Sequence, residues 1–277
     1  MEQCIITVKE LTFETGIFDE IVNCTYVLLC CGPTPEREKS VYTNIDIFKP
    51  TSIVKLIYNS GYKKCTLTTS SMDDMASAQI YIFNDALKNN YKRILFLEDD
   101  FLVPNPLKQT DINSITSFIK KNSPSLYGLG NFIIPTPLTL LSFHQKPMFN
   151  SIPMAHSVIY NQHYMNTAID YYNTHPVKMH QDILPKYLNG IECYRYYKPL
   201  VFQTFPVTEN QKNGWSQIIH SKFLLSLAIA SINMLKLDNQ IYPGYTVIYA
   251  VPYILYIILI CLLFFIYKLF NRKLYTT

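Results

Sequence analysis

The sequence predicts an α/β domain followed by one transmembrane helix, and three observations carry that expectation. Apolar runs of strand length alternate with segments of helical period through the first hundred residues. The last of these runs, Ile94-Leu95-Phe96-Leu97, passes straight into three adjacent carboxylates, Glu98, Asp99 and Asp100. Residues 239–267 hold no charged side chain.

The first strand is expected over Thr25-Tyr26-Val27-Leu28-Leu29-Cys30-Cys31, ended by Gly32-Pro33. Its continuous apolar character suits a strand buried on both faces. A polar loop with Glu36, Arg37, Glu38 and Lys39 is expected next, then a helix opened by Pro50-Thr51-Ser52, with apolar Ile53, Leu56 and Ile57, stopped by Gly61. Cys65 to Thr69 is β-prone. Asp73 and Asp74 are expected to N-cap a helix whose stripe is Ala76, Ile80, Phe83 and Leu87. Arg93 to Leu97 follows as a fully apolar strand, so the order reads β-α-β-α-β. Further on, helices are expected over Asp111–Lys121 and Asn161–Tyr172. Strands are expected over Leu126–Leu129, Ala155–Tyr160, Glu192–Tyr197 and Leu200–Phe202, with a long loop over 131–150 and a short helix after Asp182.

Composition narrows the function. The net charge of +4 lies wholly beyond residue 221, where Lys222, Lys236, Lys268, Arg272 and Lys273 face only Asp238. A nucleic-acid binder carries its basic face on the folded domain, so no nucleic-acid partner is expected, and the tail cations suit anionic lipid headgroups. The seven cysteines contain no C-x-x-C pair, which argues against zinc. No GxGxxG, GxxxxGK[ST] or G-x-S-x-G motif is present, which argues against dehydrogenases, P-loop enzymes and serine hydrolases.

Within the apolar tail, Tyr245 to Tyr267 is 23 residues. As a helix it reaches about 34 Å, enough to cross a hydrocarbon core of about 30 Å. The organisation expected is a catalytic domain at 1–221, a membrane-proximal segment at 222–240, a transmembrane helix at 241–268 and a basic tail at 269–277. Phe223 to Leu235 is too short to span, and reads either as an interfacial helix or as a packed one. The tail cations by themselves favour a cytosolic C-terminus. The free thiols and the absence of a signal peptide favour a cytosolic domain on a single-pass C-terminal anchor, which is the reading adopted.

Three adjacent carboxylates repel one another, and a cation relieves that repulsion. An all-oxygen ligand set suits Mg2+ or Mn2+, which can neutralise a departing diphosphate. Strand alternation places Glu98 and Asp100 on one face and Asp99 on the other, with Asp100 the expected direct ligand.

Arg93 to Phe101 resembles the "hydrophobic strand then Glu-Asp-Asp" signature of the lipooligosaccharide and procollagen galactosyltransferase family (glycosyltransferase family 25-like). Ala155 to Tyr160, Pro176-Val177 through Asp182-Ile183-Leu184, and Pro199-Leu200-Val201-Phe202-Gln203 are similar to later segments of that family. The resemblance implies a GT-A fold with a mixed sheet, a UDP-sugar donor and a glycan or protein acceptor. It implies a donor site from Glu98, Asp99, Asp100 and Arg37, a metal held by Asp100, Glu98 and a late histidine, His220, and Asp182 as the base for the acceptor hydroxyl. Asp182 also reads as a helix N-cap. The family's several arginines after its first strand reduce here to Arg37, and its Gly-Cys and Ser-His pattern is replaced by Met75 to Ile80. A catalytically degenerate scaffold at a membrane is therefore the alternative.

Overall fold

The computed structural model describes residues 6–29, 34–61, 70–104, 106–131, 145–147, 155–175, 181–182, 184–204, 222–234, 241–242 and 246–274. Ten strands and six α-helices are described: β1 (Ile6–Thr12), β2 (Cys24–Leu29), α1 (Pro35–Phe48), β3 (Ile53–Asn59), α2 (Ser71–Lys88), β4 (Arg93–Glu98), β5 (Phe101–Leu102), α3 (Gln109–Asn122), β6 (Leu126–Gly128), β7 (Gln145–Pro147), β8 (Ser157–Asn161), α4 (Gln162–Thr174), β9 (Cys193–Tyr196), β10 (Phe202–Gln203), α5 (Lys222–Met234) and α6 (Thr246–Leu274).

Eight strands form one mixed sheet in the order β1-β3-β2-β4-β8-β6-β9-β7. The centre, β3-β2-β4, is parallel. Beyond it β8 runs antiparallel to β4, with Phe96 opposite Val158. Strands β5 and β10 form a separate two-stranded ribbon.

Alternation along the central strands builds two cores. Val27, Leu29, Leu95 and Leu97 pack with Val41, Ile45 and Phe48 of α1 and Ile112, Ile115 and Ile119 of α3. Tyr26, Leu28, Ile94 and Phe96 pack with Ile82 and Phe83 of α2 and Tyr164, Met165 and Ala168 of α4. The result is three layers, helix-sheet-helix, around strands buried on both faces.

Two expected elements exchange identity. The segment at 36–39 is the start of α1, not a loop. Thr34 Oγ1 accepts from the Arg37 amide, and Pro35 occupies the first turn, where its missing N–H costs nothing. Residues 53–59 form a strand, not a helix. Their Ile53-Leu56-Ile57 spacing fits a helical stripe, but all seven residues pair with β1 on one side and most pair with β2 on the other. Lys55 at its centre masks the apolar run. Burial is possible because Lys55 Nζ donates to Asp85 Oδ2 of α2 at 2.6 Å, and Tyr26 OH donates to the same oxygen at 2.6 Å.

Strand β1 was not expected from the sequence, since it is largely exposed and lies at the sheet's edge. Helix α2 is capped by Ser70, with Asp73 and Asp74 in its first turn rather than at the cap. The short strands β5 and β7 were not expected either, β7 lying inside the segment read as a long loop, while the remaining strands and helices fall within a few residues of their expected places. The β-prone segment at 65–69 and most of the expected loop at 131–150 lie outside the described residues.

Helix α6 contains a 20-residue stretch, Tyr249–Lys268, long and apolar enough to cross a membrane. Leu255, Ile257, Phe264 and Tyr267 are about 60% exposed, so this is not a helix buried in a protein core. Its first turn is attached to the domain: Tyr249 is buried, and its hydroxyl donates to the Gly130 carbonyl at 2.7 Å.

Candidate functional site

The site assembles at the C-terminal end of β4, next to the parallel strand β2, where open α/β sheets present ligand-binding crevices. Glu98 is the last residue of β4, and its amide donates to the His156 carbonyl at 2.9 Å. That bond brings the start of β8, and with it Asp182, to the same place. Asp182 Oδ1 accepts from the Ala155 amide at 3.1 Å.

Glu98 faces the α2 and α4 side of the sheet. Its Oε1 accepts from Gln181 Nε2. Gln181 Oε1 in turn accepts from Gln79 Nε2 of α2 at 3.3 Å, and Gln79 Nε2 also reaches the Tyr160 hydroxyl at 3.3 Å. Burial, together with the charges of Asp100, Asp182 and Asp99, pushes the Glu98 carboxyl well above the usual carboxylate range, against the opposing Gln181 bond. Glu98 is therefore biased toward its protonated form.

Asp99 turns the other way, to α1, where Arg37 Nη1 meets its Oδ2 at 3.1 Å. The first turn of α1 thus carries a guanidinium to the end of β4, 62 residues along the chain. Asp100 lies in the turn between β4 and β5. Its Oδ2 accepts from Gln203 Nε2 at 3.1 Å, while Thr204 donates to its carbonyl from both the amide (2.8 Å) and the hydroxyl (3.1 Å). Burial and the neighbouring Asp99 raise the Asp100 carboxyl to about 7, with Gln203 and Arg37 opposing. Its Oδ1 is buried without a hydrogen-bond partner.

Strand alternation does not extend through the triplet, because β4 ends at Glu98 and the next two residues form a turn. Glu98, Asp99 and Asp100 consequently take three different partners rather than two faces. Arg37, Glu98, Asp99, Asp100 and Asp182 come together at one sheet end, whereas His220 lies outside the described residues. His156 is buried with Nε2 at 3.2 Å from the Val201 carbonyl, a structural contact.

Sequence reasoning did not assign site roles to Gln79, Gln181 or Gln203. An amide has no charge signature. The one available signal was position, since Gln181 adjoins Asp182 and Gln203 closes the Pro199-to-Gln203 motif. Gly130 was also missed. A Cβ there would lie 2.1 Å from the Val201 carbonyl oxygen and 2.5 Å from His156 Nε2, so only glycine fits between these two residues, which lead into β10 and β8.

Among the described residues, no group of three or more His, Cys, Asp or Glu side chains converges to hold a metal ion. A cage built wholly by these side chains is thus not formed. What fits is the mode typical of Mg2+, one or two carboxylates with substrate phosphates completing the shell. Asp100 Oδ1, buried without a hydrogen-bond partner, is an oxygen of that kind.

No protein-family description matches the sequence, and no curated protein matches it. Among solved structures the chain is similar to A197 from STIV, at 8% identity and a TM-score of 0.41, over 67% of this chain and 86% of that one. It is also similar to a glycosyltransferase involved in the glycosylation of the major capsid of PBCV-1, at 12% identity and a TM-score of 0.40, over 70% of this chain and 99% of that one.

Proposed function

We propose that the protein is a membrane-anchored GT-A-type glycosyltransferase that moves a hexose from a UDP-sugar to an acceptor hydroxyl with inversion, assisted by Mn2+ or Mg2+. The observation that carries this reading is the partly unsatisfied carboxylate cluster at the end of the buried strand β4, with Arg37 beside it. A crowded acidic site with an orphaned oxygen has an unmet demand for positive charge.

Asp100, with Glu98 alongside, would hold the cation, whose chemistry is to offset charge building on the departing diphosphate. Arg37, which pairs with Asp99, would donate to phosphate oxygens. Gln203 and Thr204 hold Asp100 by its other oxygen and its carbonyl, which leaves Oδ1 as the oxygen that would take the cation. Asp182, oriented by the Ala155 amide, takes the proton of the acceptor hydroxyl. The acceptor oxygen then bonds to the anomeric carbon, and the bond from that carbon to the UDP oxygen breaks with its electron pair. Helix α6 spans the bilayer once, with the domain on the cytosolic side. Its 20-residue apolar stretch, at about 1.5 Å per residue, matches the hydrocarbon thickness.

The test is UDP release from a panel of UDP-hexoses by the full chain in detergent micelles, with Mn2+ or with EDTA. Metal-dependent turnover that Asp100→Ala abolishes is the expected result. Full activity in Asp100→Ala would remove the site assignment. Absence of both turnover and a heat of UDP–Mn2+ binding would leave the non-catalytic scaffold.

A further inference from the structure

We infer that α5 is a second contact with the membrane: it lies along the bilayer interface, with the stripe Phe223, Leu227, Ala230 and Met234 turned to the acyl chains. The inference rests on the reading of α6 as the membrane anchor and is independent of the chemistry assigned to the carboxylates. Sequence alone leaves Phe223 to Leu235 open between an interfacial helix and a packed one. The exposure of its side chains decides.

Among the described side chains of α5, the exposed ones are Phe223, Ser226, Leu227, Ala230, Asn233 and Met234. These positions recur at intervals of three and four, so they share one face of the helix. On a surface helix packed against its own domain, the outward face is polar. Here it is largely apolar, with Phe223 74%, Leu227 52% and Met234 77% exposed. Ser231, beside that face, donates its hydroxyl to the Leu227 carbonyl at 2.8 Å, so its polar group is satisfied within the helix. No charged residue lies between Lys222 and Lys236.

Two observations make a bilayer the occupant of this face. The first is continuity with α6. Residues 235–245 join the two helices, a reach of at most about 40 Å. Wherever along its apolar run α6 enters the membrane, α5 stays beside that surface. The second is charge. Lys222 and Lys236 bracket the run, and beyond residue 221 five cations face Asp238 alone, a balance that anionic headgroups attract. The 13 residues of α5 give a helix of about 20 Å, too short to cross a core of about 30 Å but able to lie in its interface. A second copy of α5 fits less well. The stripe has the spacing of a coiled-coil seam, but it falls short of two heptads, where a coiled coil needs about three or more.

The experiment places single tryptophans in the full chain after Trp215, the only one present, is changed to Phe. Leu227→Trp reports on α5 and Phe264→Trp on α6. Each variant is reconstituted in vesicles of phosphatidylcholine and phosphatidylglycerol. The phosphatidylcholine acyl chains carry bromine either near the headgroup or near the chain end, in separate preparations. Leu227→Trp should lose about half or more of its fluorescence to the shallow bromine, less to the deep bromine, and little to iodide in the water. Quenching of Leu227→Trp by iodide and not by bromine overturns the inference, and the anchor stands if bromine still quenches Phe264→Trp. Stronger quenching by deep than by shallow bromine overturns the interfacial placement. Shielding from both quenchers overturns it as well, because protein then covers the face. The cover is a second copy if diluting the protein about tenfold in lipid restores iodide quenching, and the chain's own domain if it does not. Phe264→Trp untouched by either bromolipid removes the anchor reading, and this inference with it.

Discussion

Replacing Asp100 by Asn should make the protein more stable at pH 8 while destroying metal response. The Asp100 carboxyl stands at about 7 against an ordinary value of 3.8, owing first to burial and then to Asp99. Its folded form is thus protonated more readily than its unfolded form. The sign follows: the penalty is absent below about pH 4, grows as pH rises, and is complete above about 7. About three units at about 1.4 kcal/mol each set a ceiling near 4 kcal/mol. Asp100 as a residue keeps some exposure, so screening trims the figure to about 2–3 kcal/mol. Asn keeps the oxygen that accepts from Gln203 and carries no charge at any pH. Thermal unfolding of the full chain in micelles should therefore show the Asn variant melting about 5–10 °C above the parent at pH 8, and gaining less than half as much at pH 5. Millimolar Mn2+ should raise the parent's midpoint at pH 8 by binding only the folded state, and leave the variant unmoved. An Asn variant that melts no higher than the parent at pH 8, or gains equally at both pH values, would show that these carboxylates are not held in mutual repulsion.

Asp182→Asn retains an oxygen for the Ala155 amide, so its melting point should stay close to the parent's while kcat falls by about 100-fold or more; an unchanged kcat would leave Asp182 as a structural residue. Gly130→Ala forces a Cβ to within 2.1 Å of the Val201 carbonyl. It should cost about 1–3 kcal/mol in a melt, and UDP release should drop as well, since Val201 leads directly into the strand that holds Asp100. In the parent, burial pushes the Asp85 carboxyl up, but hydrogen bonds from Lys55 and Tyr26 prevail and hold it below the usual range. That stabilisation is present above the unfolded-state value near 4 and is lost as pH falls through the lower folded value. Melting curves from pH 2 to 5 should show a steep acid limb that Asp85→Asn flattens.

Much of the site was legible because its signal was local. Buried β4 running into Glu98-Asp99-Asp100 is a contiguous pattern, and so is the uncharged stretch that becomes α6. The exchange of α1 and β3 had a different cause. In α1 the buried positions are Val41, Asn44, Ile45 and Phe48, a helical spacing carried by only three apolar side chains and one amide. The start signal, Thr34 followed by Pro35, was present but stood inside a charged run that reads as loop. In β3 the decisive fact lies 30 residues away, since Lys55 becomes compatible with a central strand only through Asp85. The partners of the site behaved likewise. Gln181 to Glu98 spans 83 residues and Gln203 to Asp100 spans 103, and no short-range pattern encodes either.

The two buried polar clusters of the sheet solve the same problem in opposite ways, and the contrast bears on function. Around Asp85 the network is closed. One oxygen takes Lys55 and Tyr26, the other takes Asn89, and the cation and the carboxylate lie side by side. At the end of β4 the network is left open. Arg37 pairs with Asp99, and among the described residues both Asp100 Oδ1 and Gln79 Oε1 are buried without a hydrogen-bond partner. Leaving such groups unmet costs on the order of 1–3 kcal/mol each. The closed cluster shows that this sheet can neutralise buried charge with its own side chains. Under the proposed function, the cluster at the end of β4 is kept for a ligand that brings positive charge. In that reading a divalent cation accompanied by a diphosphate accounts for the site better than an anionic ligand alone.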